Sequence, residues 1–303
     1  MERPRLAARS WKLAAGHSKL ITGLWKLATG YWKLATGDWK LATGSWLLFL
    51  IACGGGGSSM PASPSATPTP SASTACLAIG STGGSGATAI VNGADCSRDS
   101  GSVVLLNLLD ATQTISAQCS GTVIAPRAIL TAAHCAANAV TSRVFTGAFP
   151  ELLGTKVSAD ADYHQSAGSA FDVAVVTTDA DLGRPPIPLL TSRDARVGEA
   201  AVISGWGKDS AELAGTLRAG NTSITVVTTD VLQTQFSTSS AFVCQGDSGG
   251  PILVQEGGTW AIAGVISANT NIACNTGNNF YAAIRSPSVT SFILNQAPDA
   301  ARR

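Results

Sequence analysis

From about residue 90 onward the chain alternates short apolar runs with breaks rich in Gly, Asp, Asn and Ser. Val103-Val104-Leu105-Leu106, Ala200-Ala201-Val202-Ile203 and Trp260-Ala261-Ile262-Ala263-Gly264-Val265-Ile266 are representative. Runs of this length, apolar and β-branched and bounded by turn formers, predict strands. No long helical periodicity interrupts them. The exception is Ser288 to Gln296, which predicts a short terminal helix. The 214 residues from Ile90 to Arg303 suffice for one large all-β unit.

The first fifty residues have another pattern. Trp25, Trp32, Trp39 and Trp46 recur every seven positions in Trp-Lys-Leu-Ala-Thr-Gly units, with a degraded copy at Trp11. A coiled coil is excluded, because Trp and Leu lie two apart and each unit carries a helix-weakening glycine. Two readings remain: a basic membrane-active peptide, or a seven-nucleotide DNA repeat upstream of the true start and absent from the mature protein. The apolar run Trp46 to Ala52 is short for a signal core and far too short to span a bilayer. It ends in Leu50-Ile51-Ala52-Cys53, which resembles the lipobox of bacterial lipoproteins. Either Cys53 is lipidated, or it is a chance cysteine in a secretory signal. Residues 1–52 thus form a leader, and 53–75, rich in Gly, Ser, Pro, Thr and Ala, a flexible tether without core-forming residues.

Charge sharpens this division. The whole chain carries a formal +1, but residues 1–52 hold eight of the 20 basic residues and two of the 19 acids. Twelve basic and seventeen acidic residues remain, a net −5, with Lys156 and Lys208 the only lysines. That balance excludes a nucleic-acid footprint.

Three motifs carry chemistry. Leu130-Thr131-Ala132-Ala133-His134-Cys135 comes first, then Phe171-Asp172-Val173-Ala174-Val175-Val176, then Gly246-Asp247-Ser248-Gly249-Gly250-Pro251. A serine hydroxyl becomes a nucleophile only when a histidine takes its proton and a carboxylate orients the histidine. The glycines let the backbone turn so that the N–H groups of Gly246 and Ser248 face a developing oxyanion. Cys119-Ser120-Gly121-Thr122-Val123-Ile124-Ala125-Pro126-Arg127 reads as strand and turn, and Ala128-Ile129-Leu130-Thr131 as the strand returning to His134. The segment Tyr163-His164-Gln165-Ser166 reads as a solvated loop.

These segments, in the order His, Asp, Ser, resemble the chymotrypsin/trypsin family of serine endopeptidases over Ile90 to Gln296. The resemblance implies two antiparallel six-stranded β-barrels with the active site between them and the terminal helix on the second barrel. His134 and Asp172 belong to the first barrel and Ser248 to the second. The crossover falls at Gly183-Arg184-Pro185-Pro186-Ile187-Pro188, whose prolines suit a connection. Catalytic roles are implied for His134, Asp172 and Ser248, an oxyanion hole for Gly246 and Ser248, and support of Asp172 for Ser267. No metal or organic cofactor is required. Zinc is disfavoured, since no CxxC occurs and the histidines do not cluster with cysteines.

The resemblance also pairs Cys119 with Cys135 and Cys244 with Cys274; Cys76 and Cys96 then pair by elimination. Each closure contributes roughly 3 kcal/mol in the chain-entropy model. Ile90-Val91-Asn92-Gly93 resembles the family's mature N-terminus. It implies a pro-segment, 76–89, cut between Ala89 and Ile90, whose new amine pairs with Asp247. In the primary pocket the floor position is Phe242, which cannot meet a Lys or Arg. Asn269 in Ser267-Ala268-Asn269, and Asn279, stand where the family has wall glycines. Cleavage after small uncharged residues such as Ala, Val or Thr follows. The expected partner is a polypeptide substrate, met by an exported monomer that touches membrane only through an anchor at Cys53. A silent binding protein on the same fold and an esterase using the same residues are the competing readings.

Overall fold

The computed structural model describes residues 72–87, 90–165, 168–209, 211 and 214–303. The leader, Cys53 and most of the tether lie outside the described residues. The first described elements are a helix, α1 (Ala72–Ala78), and two antiparallel strands, β1 (Gly83–Ala87) and β2 (Ala94–Cys96). Helix α1 therefore begins inside the stretch read as tether, and Ala75 is fully buried. The composition of that stretch cannot build a core by itself. A disulfide from Cys76 to Cys96 (S–S 2.01 Å) fastens it to a core built by others.

Six strands close the first barrel: β3 (Val103–Leu109), β4 (Ile115–Ala125), β5 (Ala128–Thr131), β6 (Thr141–Phe145), β7 (Leu152–Ala159) and β8 (Ala174–Thr178). Around the ring the order is β3-β4-β5-β8-β7-β6. A single helical turn, α2 (Ala133–Ala136), follows β5. The second barrel comprises β9 (Ala200–Gly205), β10 (Arg218–Val227), β11 (Val231–Gln235), β12 (Pro251–Glu256), β13 (Thr259–Asn269) and β14 (Asn278–Ala283). It runs β9-β10-β11-β14-β13-β12 and closes through β12–β9 pairing, all antiparallel. Closure removes the exposed strand edges an open sheet would leave. Strand β2 pairs with β10 and, with β1, extends this sheet outside the ring. The runs Val103–Leu106, Ala200–Ile203 and Trp260–Ile266 all lie in strands.

Between β8 and β9 the chain crosses from one barrel to the other. Ile187 N–H donates to Val123 O of β4 at 2.9 Å, and Leu190 N–H donates to Ile262 O of β13 at 2.9 Å. The change of barrel thus falls at Pro188, within the predicted segment. Trp206, almost fully buried, seals the seam from the second side. Its backbone N–H donates to Ser120 Oγ at 2.9 Å and its indole N–H to Val103 O at 3.0 Å.

The terminal helix, α3 (Pro287–Gln296), starts one residue before the predicted span. Its packing differs from the expectation. The helix touches β8, and Lys156 Nζ of β7 donates to Gln296 Oε1 at 2.9 Å. Both strands belong to the first barrel. After β14 the chain stays tied to β13 through Ile284 N–H to Ala263 O at 2.9 Å, and a ten-residue helix, about 15 Å long, then brings it to the first barrel. Among the described residues no helix is long and apolar enough to cross a membrane.

Candidate active site

His134 is held by local packing. Strand β5 ends at Thr131, whose hydroxyl donates to Ser120 O at 2.8 Å, and α2 then turns His134 out toward the cleft. The Cys119–Cys135 disulfide (S–S 2.02 Å) fixes this turn to β4. Asp172 enters from the turn before β8, where Phe171 takes φ 59° and its carbonyl accepts from Val173 N–H at 2.7 Å.

Asp172 is 1% exposed and has three donors. His134 N–H donates to Oδ1 at 2.8 Å, His134 Nδ1 lies 2.7 Å from Oδ2, and the Ser267 hydroxyl donates to Oδ2 at 2.5 Å. An ionised carboxylate only accepts, so the imidazole proton sits on Nδ1 and Nε2 keeps its lone pair. Ser267, expected to support Asp172, does so directly.

The Ser248 turn docks on β4. Ser120 N–H donates to Ser248 O at 2.8 Å, and Ser120 Oγ donates to Gly246 O at 2.9 Å. Gly246 (φ +93°) and Gly249 (φ +83°) make this approach possible. A Cβ on Gly249 would lie 2.3 Å from Ser120 O, inside any tolerable contact. Among the described residues no hydrogen bond joins Ser248 to His134; Nε2 lies 3.5 Å from Cys135 Sγ. The structure thus joins His134 to Asp172 and seats Ser248 against the same strand, with the last bond unmade. Such bonds commonly tighten only when substrate arrives.

Asp247 is also 1% exposed. Among the described residues its oxygens accept only from backbone N–H groups, those of Gly207 and Cys244, both at 2.8 Å. Burial pushes its carboxyl up to about 7; the two N–H bonds and the Arg218 charge lower it only in part. Ile90 is buried at φ 33°, where a β-branched residue is strained. In this unbroken chain it has no free amine.

The family model described as Trypsin matches residues 64–293. The chain belongs to the trypsin family. It is a serine endopeptidase, and its substrates are polypeptides. Relatives include a trypsin of Saccharopolyspora erythraea, 31% identical over 46% of this chain and 71% of that protein. Another is bovine chymotrypsin-C, 26% identical over 52% and 70%. A solved structure, HL collagenase, superposes with TM-score 0.56 over 65% of this chain and 93% of its own, at 19% identity, and supports the fold.

Against the trypsin-family expectations, the pocket residues are distributed unevenly. Phe242 is wholly buried, bridged to Val91, with its ring 5.5 Å from Phe236 in an edge-on contact. The Cys244–Cys274 disulfide packs in the same cluster. Asn269 and Asn279 are cross-strand partners. Asn269 Nδ2 donates to Val243 O at 3.1 Å, and Asn279 Nδ2 to Thr234 Oγ1 at 3.0 Å. Asn279 Oδ1 is buried with no partner. The open space lies elsewhere. A cavity of about 730 Å³ adjoins His134, Asp172 and Ser267 and extends to Tyr163, Ala268 and Phe280. The sequence reading missed it. Tyr163 belongs to a loop that reads as solvated; His164 and Gln165 are exposed, whereas Tyr163 is half-buried. Cys119, His134 and Cys135 place three donor atoms within 4.8 Å, a metal-like spacing. The two sulfurs are bonded to each other and offer no thiolate.

Proposed function

We propose that peptide hydrolysis here runs through an acyl-enzyme on Ser248. His134 Nε2 takes the hydroxyl proton as Ser248 attacks the scissile carbonyl. The N–H groups of Gly246 and Ser248 receive the oxyanion. His134 then protonates the leaving amine, and water repeats the sequence on the acyl-enzyme. Asp172 holds the imidazole in its tautomer and Ser267 holds Asp172. The observation that carries this reading is the 2.7 Å contact of His134 Nδ1 with a carboxylate that already has two other donors. A fluorophosphonate probe on the processed protein tests it. Labelling at Ser248 supports a competent nucleophile, and no labelling favours a silent binding protein. Matched ester and peptide substrates separate the peptidase from an esterase.

Activation by a cut between Ala89 and Ile90 accounts for two oddities at once. Asp247 is a buried carboxylate without an ammonium, and Ile90 is strained while still in the chain. A new amine at Ile90 relieves the strain and supplies the missing cation. The Cys76–Cys96 bridge joins the two sides of that cut and keeps residues 76–89 attached. Mass mapping of active enzyme checks the site, and an N-terminus other than Ile90 would refute it.

For specificity, Phe242 offers no charge for Lys or Arg, and the Asn269–Val243 hydrogen bond ties the pocket wall to the segment beside Phe242. Small uncharged residues before the scissile bond are the preference this supports. Export to an oxidising compartment fits the three disulfides. Anchoring through Cys53 concerns residues outside those described, and intact-mass analysis for a diacylated cysteine tests it.

A further inference from the structure

Arg218 of the second barrel is charged and yet only 4% exposed. A buried guanidinium is costly unless acceptors meet its donors. Arg218 lies on β10 directly opposite Asp95 of β2, and its donors fan out to two segments. Nε donates to Asp95 Oδ1 at 3.2 Å. Nη1 donates to Gly207 O at 3.1 Å and Nη2 to Asp209 Oδ2 at 3.0 Å. A planar guanidinium serves three diverging acceptors at once; a lysine ammonium does not reproduce that fork.

Asp95 follows Ile90 in the segment that starts at the proposed cut. Val91 is bridged to Phe242, and Cys96 N–H donates to Leu217 O at 2.9 Å, so this segment is rooted on the second barrel at both ends. Gly207 and Asp209 belong to a strap that runs beside the Ser248 turn. Gly207 N–H donates to Asp247 Oδ1 and Lys208 N–H to Gln245 O, both at 2.8 Å. The strap and the turn fit without slack. A Cβ on Gly207 would lie 2.6 Å from Asp247 N, and one on Gly246 would lie 2.9 Å from Gly207 Cα. A shift of the strap therefore moves Gly246, whose N–H is assigned above to the oxyanion. Stability alone does not ask for this arrangement, since well-packed apolar residues of similar volume often serve as well. The fork adds a fixed distance between the segment freed by cleavage and the strap behind the oxyanion donors.

We propose that Arg218 is a positioning residue of this enzyme: it ties the segment beginning at Ile90, through Asp95, to the strap 207–209, and so sets the Gly246 N–H for the oxyanion. The inference rests on the activation reading above and adds the route by which the cut is felt at the Ser248 turn. Arg218 acts through Gly207, not on the substrate.

The test uses processed enzyme and a peptide substrate, with kcat counted per mole of folded protein. Asp95→Ala removes the Nε partner at a side chain that is 40% exposed, where truncation spares the fold. Its kcat is expected to fall on the order of 10-fold with KM nearly unchanged, the mark of an interaction felt in the transition state. Asp95→Asn keeps an acceptor for Nε and is expected to recover most of the loss. Arg218→Lys breaks the fork and is expected to cost on the order of 10- to 100-fold in kcat. An unchanged kcat in folded Asp95→Ala, with only a lower unfolding temperature, makes the cluster structural and overturns the inference. So does a loss confined to KM, or an Asp95→Asn enzyme no better than Asp95→Ala. Cyanate separates this inference from the activation reading, because a docked Ile90 ammonium is carbamylated slowly. If the wild-type amine reacts as fast as a free peptide amine, or the processed chain does not start at Ile90, the activation reading fails. The kcat of Asp95→Ala then still decides Arg218: a loss that Asp95→Asn recovers supports the tie to the strap, and no loss overturns it.

Discussion

Two carboxylates, one in each half of the molecule, are equally buried and differently served. Asp172 in the first barrel has three donors, one of them an imidazole that can become a cation. Asp247 in the second has two backbone N–H groups, and burial raises its carboxyl to about 7. The cost of burying a charge depends on what faces it. The first barrel thus carries a completed half-site, and the second holds an acid that, among the described residues, hydrogen-bonds only to backbone N–H groups.

The sharpest way to break this comparison is at the nucleophile and base. Ser248→Ala or His134→Ala is expected to lower kcat on the order of 10⁶-fold, as measured for subtilisin, in a peptide assay of processed enzyme. Asp172→Asn keeps the hydrogen-bond geometry but favours the wrong tautomer, and a loss of about 10⁴-fold is expected. A loss below ten-fold would remove Asp172 from the proposed line. Ser267→Ala removes one charge-assisted hydrogen bond, with an expected drop of about ten-fold in kcat.

The Asp247 side of the comparison is tested through pH. In the uncut protein the folded state holds the Asp247 proton up to about pH 7, whereas the unfolded chain releases it near the ordinary value of 3.8. Stability contributed by this group is complete below about pH 4, falls as pH rises toward 7, and is then constant. The full change is roughly 4 kcal/mol. After cleavage the Ile90 amine compensates the charge, and this loss is expected to vanish. Denaturant titrations of cut and uncut protein at pH 4 to 8 read the difference directly. Matching curves would sever Asp247 from activation.

What was legible in the sequence follows the locality of the interactions. His134 beside Cys135, Asp172 before a β-branched run, and Ser248 among glycines are each defined within a few residues. The structure joins the first two as read. The cavity could not be read, because Tyr163, Ala268 and Phe280 come from separate segments and meet only through strand register. The packing of α3 was misjudged because its apolar residues, Val289 and Ile293, fit either barrel by composition; only the path of the chain decides. Ala75 looked like tether because its burial depends on the neighbouring Cys76, whose disulfide partner lies twenty residues away.

The seam closed by Trp206 has a consequence for what the enzyme accepts. Ser120 receives Trp206 from the second lobe and holds Gly246 on the other side, so the lobes share one rigid joint. The gap between them then works as a fixed gauge. A protein loop is then expected to be cut only where it can enter in extended form, and a loop that resists stretching is expected to escape whatever residues it displays. The enzyme would sort its targets first by their pliancy and only then by their chemistry.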